Sequence, residues 1–238
     1  SVNINNGEVN SSAAVLGGAQ NIYCSQQNLY YTFSKQITEE TDNKIYYQTE
    51  TTIVKVKLGE KIETVATGVV KGFPLNQFSM DEYEGNLRIV TTINLNQATK
   101  NGDEIYSYIT DATTQNALYV LDGNLAQIGK IEDLAKDERV YSVRFDGAVG
   151  YFVTFRQTDP LFTVDLTDPK NPKILSELKI PGFSAYLHPV GDGLLLGVGV
   201  DGDENGQNGG LKVSLFDVSD PKNPKECDKI TMGGSESP

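Results

Sequence analysis

Val, Ile, Tyr, Phe and Thr recur along this chain in short runs, separated by clusters of Gly, Asn, Asp and Pro. No segment of 12 residues places apolar positions at a clean helical spacing, so the pattern predicts strands and very little helix. Glu132 to Lys136 is the one stretch that reads as helical, for a single turn.

The runs are organised by repetition. Residues 164–173 read VDLTDPKNPK and residues 216–225 read FDVSDPKNPK, identical at seven of ten positions at a spacing of 52 residues. Each copy ends one β-like run and precedes another, and its two prolines remove backbone donors and force a turn. Extended upstream, the comparison predicts four units of four strands. Strand a is Asn21 to Ser25, Gln77 to Tyr83, Val140 to Phe145 and Ser184 to His188; strand b is Leu29 to Phe33, Leu87 to Ile93, Gly150 to Arg156 and Leu194 to Val200. Strand c is Thr52 to Leu58, Ala117 to Leu121, Leu161 to Leu166 and Lys212 to Val218; strand d is Lys61 to Ala66, Ala126 to Ile131, Lys173 to Lys179 and Glu226 to Thr231. The a-to-b links, Gln27-Asn28, Glu84-Gly85-Asn86, Asp146-Gly147 and Asp192-Gly193, carry residues that tolerate the positive φ of tight hairpins.

Repeated four-stranded antiparallel units of this size fit the blades of a β-propeller, with a β-sandwich as the alternative. The predicted organisation is all-β: an extension or linker over 1–18, blades over about 19–69, 70–135, 136–182 and 183–234, and a tail at 235–238. Extra residues fall between strands b and c, at Ser34 to Glu50, Asn94 to Gln115 and Asp201 to Gly210. They read as long polar loops gathered on one face, opposite the proline turns: either a binding face carried by a rigid scaffold or tolerated surface insertions.

A net charge of −12, with Lys and Arg scattered, argues against nucleic acid as a partner. No run approaches the length of apolar chain that spans a bilayer, which argues against membrane insertion. Cys24 and Cys227 stand near opposite ends: a bond between them would staple the first unit to the last, and the alternative is two ordinary small residues.

Four sets of residues carry candidate chemistry. Asp201-Gly202-Asp203-Glu204-Asn205-Gly206-Gln207 reproduces the first half of a calcium loop, with oxygens from Asp201, Asp203, Asn205 and Gln207, but Lys212 stands where the bidentate Glu belongs; either it binds Ca²⁺ or it is a solvated acidic turn. His188, the only histidine, excludes a multi-histidine zinc site and reads as structural, with a catalytic role as the alternative. Asp81, Glu82, Arg88, Arg144 and Arg156 gather on strands a and b, as a polar channel mouth or as interblade salt bridges; Asp81 and Glu82, being adjacent on a strand, point to opposite faces. Tyr46, Tyr47, Tyr106 and Tyr108 lie in two of the insertions and offer contact area at low entropic cost, or simply pack onto their own blades.

The runs Asn76-Gln77-Phe78-Ser79-Met80-Asp81-Glu82-Tyr83 and Leu87-Arg88-Ile89-Val90-Thr91-Thr92 are joined by Tyr186-Leu187-His188-Pro189, Gly197 to Asp201 and residues 214–221. Together they resemble the bacterial and archaeal family of secreted proteins with a C-terminal β-propeller domain. The resemblance covers about Gly18 to Gly234 and implies a propeller fold, an exported or cell-surface location, and no particular activity. Proteins of this kind are longer than four blades, so the chain reads as a closed four-bladed ring or as an arc of a larger one. An arc would expose blade edges, through which a homodimer is an expectation. The function expected is a non-catalytic extracellular scaffold that binds a protein, peptide or glycan through its loop-rich face, with Tyr46, Tyr47, Tyr106, Tyr108, Asp81, Arg88 and Arg144 as ligand-binding candidates. The alternative is a secreted hydrolase or lyase with a polar site at the channel mouth.

Overall fold

The computed structural model describes residues 2, 5–9, 18–41, 43–101, 104–155, 159–202 and 208–233, with backbone alone at 101, 104–112, 155, 159 and 208. All sixteen predicted strands are present, and no α-helix occurs among the described residues. The first repeat holds β1 (Asn21–Cys24), β2 (Asn28–Glu40), β3 (Lys44–Lys57) and β4 (Glu63–Lys71). The second holds β5 (Met80–Tyr83), β6 (Asn86–Asn101), β7 (Glu104–Leu121) and β8 (Gln127–Leu134). The third holds β9 (Arg139–Asp146), β10 (Val149–Phe155), β11 (Asp159–Asp165) and β12 (Lys173–Ile180); the fourth holds β13 (Phe183–Gly191), β14 (Leu194–Gly202), β15 (Asn208–Asp217) and β16 (Lys225–Met232). The chain divides into two compact units, residues 1–113 with 118–128 and residues 114–117 with 129–238.

Three expectations are corrected. Ser34 to Glu50 and Asn94 to Gln115 are not loops: strands b and c continue through them, as β2 and β3 and as β6 and β7. The polar residues there alternate with Thr, Ile and Tyr, which suits a ribbon solvated on part of its surface. Gln77–Ser79 is a 3₁₀ turn rather than strand, because the Asn76 side chain accepts from the Phe78 N–H at 2.9 Å and Ser79 Oγ accepts from the Asn76 N–H at 3.4 Å. The predicted helical turn at Glu132 to Lys136 is strand and turn, with Asp133, Ala135 and Asp137 at positive φ and Asn116 Nδ2 donating to the carbonyls of Leu134 and Glu138 at 3.1 Å.

Two of the four hairpin links, Glu84-Gly85 and Asp192-Gly193, have positive φ at both positions, Asp146-Gly147 has it at Gly147 alone, and Gln27-Asn28 turns without it. The proline turns repeat in geometry as well as sequence. Asp168 accepts from the Lys170 N–H at 3.0 Å and from Asn171 Nδ2 at 2.7 Å, and Asp220 accepts from the Lys222 N–H at 3.0 Å and from Asn223 Nδ2 at 2.8 Å. The side-chain amides of Asn171 and Asn223, then the backbone donors, hold these two exposed carboxyls below the ordinary range. A folded-state pKa below the unfolded one stabilises the turn above the unfolded value, and that contribution fades as pH falls through the folded value. On acidification below about pH 4, NMR shifts of the Asn171 and Asn223 side-chain amides should therefore move together toward free values. A flat profile through the acid range would contradict this reading of the turns.

Successive repeats meet by one recurring device, in which the c-to-d turn of one repeat rests on a small residue in strand d of the repeat before it. A Cβ built on Gly68 of β4 would lie 2.7 Å from the Leu125 carbonyl oxygen, and one built on Gly129 of β8 would lie 2.1 Å from that of Pro169. On β12 the small residue is Ser176, whose Oγ donates to the Pro221 carbonyl at 3.0 Å. Between the third and fourth repeats, Tyr151, Val153, Leu161 and Ile180 pack against Leu187, Leu195, Phe216 and Val218 to form a buried core. Lys212, 3% exposed, closes that seam by donating to the Pro181 carbonyl at 2.9 Å and pairing with Glu226 at 2.8 Å.

Candidate groove on the projecting sheet

The first half of β3 keeps β2 on one edge and on the other pairs with β6 of the next repeat, aligning Lys44 with Thr99, Ile45 with Ala98, Tyr46 with Gln97 and Tyr47 with Asn96. Its second half, from Glu50 onward, pairs with β4. One strand thus serves two partners in succession, and the sheet runs β1-β2-β3-β6-β7-β8, with β4 and β5 paired off this path to β3 and β6. The hairpin end is fixed by the Thr41 N–H donating to the Lys44 carbonyl at 2.8 Å, the Lys100 N–H donating to the Asn43 carbonyl at 2.9 Å, and Lys100 pairing with Glu40 at 2.8 Å.

Side chains alternate across a strand, so the register assigns faces. Ile45 and Ala98, each 1% exposed, share one face with Tyr47 and Asn96. Glu39, opposite Tyr46, shares the other with Tyr46, Gln48, Leu95 and Gln97. This second face borders a cavity of about 300 Å³ lined by Glu39, Tyr46, Tyr47, Gln48, Leu95, Asn96, Gln97 and Thr113. Its volume stands at the lower end of small-molecule sites, enough for one sugar ring or one or two amino-acid side chains. The Tyr46 ring, 39% exposed, supplies a flat apolar surface, while Glu39, Gln48 and Gln97 supply acceptors and donors around it. A second depression of about 520 Å³, lined by residues that include Gln20, Lys35, Gln36, Phe73 and Pro74, is wider and more open.

The cavity lining includes both Tyr46 and Tyr47, of which Tyr46 alone lies on the groove face. Tyr106 and Tyr108 fall on β7, where their side chains lie outside the described residues. Asp81 and Arg88 are a directly opposed cross-strand pair. Arg88 Nη2 meets Asp81 Oδ2 at 2.5 Å, its Nε meets Oδ1 at 2.6 Å, and the guanidinium carbon lies 4.7 Å from the Tyr83 ring centroid. Burial pushes the Asp81 carboxyl up, against the downward pull of Arg88. Arg88 is 2% exposed, and its guanidinium is engaged by the half-buried Asp81 carboxylate. Glu82 points the other way and joins two repeats, accepting from Ser25 Oγ at 2.5 Å and Asn28 Nδ2 at 2.8 Å. Arg144, half-buried on β9, stands opposite Tyr151, whose hydroxyl burial pushes up to about 12. His188 is exposed and stacks on Tyr186, with their polar atoms 3.2 Å apart.

Asp201 lies on β14, and Asp203, Asn205 and Gln207 lie outside the described residues, as does Arg156. Cys24 and Cys227 are both exposed and unbonded. The groove residues absent from the sequence-based expectation are Glu39, Gln48, Leu95, Asn96, Gln97 and Thr113. Two signals mark them: alternation through Lys44 to Thr52, and the Asn101-Gly102 dipeptide, a strong hairpin signal in place of a loop.

A family model described as a beta propeller domain matches residues 1–238. An uncharacterized protein of Methanocaldococcus jannaschii is 49% identical over 174 residues, covering 73% of this chain and 25% of the relative. An uncharacterized protein of Archaeoglobus fulgidus is 44% identical over 206 residues, covering 87% of this chain and 29% of the relative. The chain thus spans between a quarter and a third of the length of these two relatives.

Proposed function

The chain belongs to the β-propeller domain family, and from that premise we propose that it is a non-catalytic binding scaffold, carried outside the cell or on its surface, whose projecting sheet holds a protein, peptide or glycan ligand. The observation that carries this reading is the groove itself: an exposed tyrosine ring among Glu39, Gln48 and Gln97, on a sheet that two repeats build jointly. A site on paired strands is held more rigidly than one on loops, so less ordering entropy opposes binding. The volume favours a ligand that inserts one ring or side chain at a time, such as an oligosaccharide or an extended peptide. The two carboxylates on which the hydrolase or lyase reading drew are engaged within the sheet, Asp81 by Arg88 and Glu82 by Ser25 and Asn28. The exported location rests on the family resemblance.

Screening the chain against glycan and peptide arrays should give ligands whose affinity falls about tenfold or more in Tyr46→Ala, as expected when an aromatic anchor is lost. Tyr186→Ala is the control, since Tyr186 on the fourth repeat is exposed to a similar degree, 38% against 39%. Ligands that bind both variants as tightly as the parent would remove the groove from consideration.

A further inference from the structure

Register sets Glu39, Tyr46 and Gln97 in one row across the groove: Glu39 on β2 stands directly opposite Tyr46 on β3, and Tyr46 directly opposite Gln97 on β6. Two strand spacings give that row a span of about 10 Å, the width of a six-membered sugar ring with its hydroxyls. The aromatic ring is therefore central, with a carboxylate on one flank and an amide on the other, and Gln48 and Leu95 follow along the same face. Among the described residues, no hydrogen bond or ion pair engages the side chains of Glu39, Tyr46 or Gln48. The neighbouring Glu40, by contrast, is paired with Lys100 at 2.8 Å. An aromatic face is electron-rich and attracts weakly polarised C–H groups, while the carboxylate accepts hydrogen bonds and the amides both donate and accept. A pyranose matches both parts, since its ring faces carry C–H groups and its rim carries hydroxyls that donate and accept.

The lining narrows the ligand further. β3 runs between β2 and β6, and β6 between β3 and β7, so the strands that carry Tyr46 and Gln97 have a neighbour on either side. An extended peptide lying over Tyr46 finds no strand edge to lengthen and forgoes the backbone ladder that gives such peptides their affinity. A sugar needs no such ladder. Among its described residues the lining holds one carboxylate and no Lys, Arg or His, in a chain of net charge −12, which opposes uronic and sulfated sugars. With one carboxylate where glycoside cleavage calls for two, the groove holds a sugar without hydrolysing it. Resting on the binding reading above, we propose that the groove is a subsite for one neutral pyranose unit of an oligosaccharide, stacked on the Tyr46 ring and held at its rim by Glu39, Gln48 and Gln97.

The chain has no tryptophan, so Tyr46→Trp installs a single fluorescent reporter that keeps the stacking surface. Of neutral hexasaccharides built from β-linked glucose, mannose or galactose, at least one should shift its emission at millimolar sugar, and hexagalacturonate should not. Calorimetry on the otherwise native chain then apportions the contacts. Tyr46→Ala should weaken binding of that neutral sugar about tenfold or more. Glu39→Gln should change it by no more than about threefold, since an amide oxygen still accepts from a hydroxyl, whereas a cationic ligand would lose its counter-charge. The proposal is overturned if none of the neutral sugars binds, if hexagalacturonate binds as tightly, or if Glu39→Gln costs as much as Tyr46→Ala. The binding reading beneath it fails differently. Array peptides whose affinity drops in Tyr46→Ala would keep the groove as a binding site and replace its ligand, and arrays with no ligand sensitive to Tyr46 would remove both.

Discussion

Asp81→Ala is expected to destabilise the fold by about 3–5 kcal/mol, read as a drop in urea midpoint at unchanged slope. The cost does not come from losing a strong attraction. Arg88 is 2% exposed, and its paired contacts with Asp81 lie inside the sheet. Burial raises the Asp81 carboxyl in spite of its neighbouring guanidinium, so desolvation outweighs the ionic gain for this group. Removing the carboxylate leaves a buried cation without its counter-charge, and the Tyr83 ring beside it supplies far less than a bidentate carboxylate. The same argument makes the double replacement Asp81→Leu, Arg88→Met much milder than either single one, because it removes the desolvated charges together. A double variant as unstable as Asp81→Ala would mean that the pair contributes net attraction after all.

The repeat was legible in the sequence because its chemistry is local. Asp-Pro-Lys-Asn-Pro fixes its own turn through bonds from Lys170 and Asn171 to Asp168, and from Lys222 and Asn223 to Asp220, with no help from distant residues. Glu84-Gly85 and Asp192-Gly193 act through backbone sterics alone. The groove was half legible: Tyr46 and Tyr47 stood out as aromatic residues in an insertion, but the partners that make them a site are set by register. That register depends on β3 leaving β4 for β6, a long-range pairing that no local pattern announces. Polarity misled at the same place. Gln36, Thr38, Gln48, Thr49 and Gln97 read as loop by composition, although alternation with Ile37, Ile45 and Ala98 is what a partly solvated ribbon requires. Charge alone left Asp81 and Arg88 between a channel mouth and an interblade salt bridge; register pairs them across β5 and β6 of one repeat, with the guanidinium buried and the carboxylate half-buried.

Gly129→Ala should cost about 3 kcal/mol, the upper part of the range for overfilling a packed site, although Gly129 adopts no left-handed conformation and alanine suits a strand there no worse than glycine. The obstacle is another segment's backbone: an added methyl would lie 2.1 Å from the Pro169 carbonyl oxygen and 3.1 Å from its carbon. A flexible side chain would swing aside, but Pro169 belongs to a turn pinned by Asp168 and cannot retreat without breaking those bonds. At the next seam the corresponding residue is Ser176, and its hydroxyl is accepted because it stands at hydrogen-bonding distance from the Pro221 carbonyl, 3.0 Å. The contact at Ser176 therefore admits one polar atom, and the contact at Gly129 admits none. If that spacing is fixed by the turns, Gly129→Ser should be no better tolerated than Gly129→Ala, while Ser176→Gly should cost only the single hydrogen bond, about 1 kcal/mol. Thermal or urea unfolding of the three variants orders them directly. A Gly129→Ala protein as stable as the parent would show that the proline turn floats on its neighbour instead of locking it.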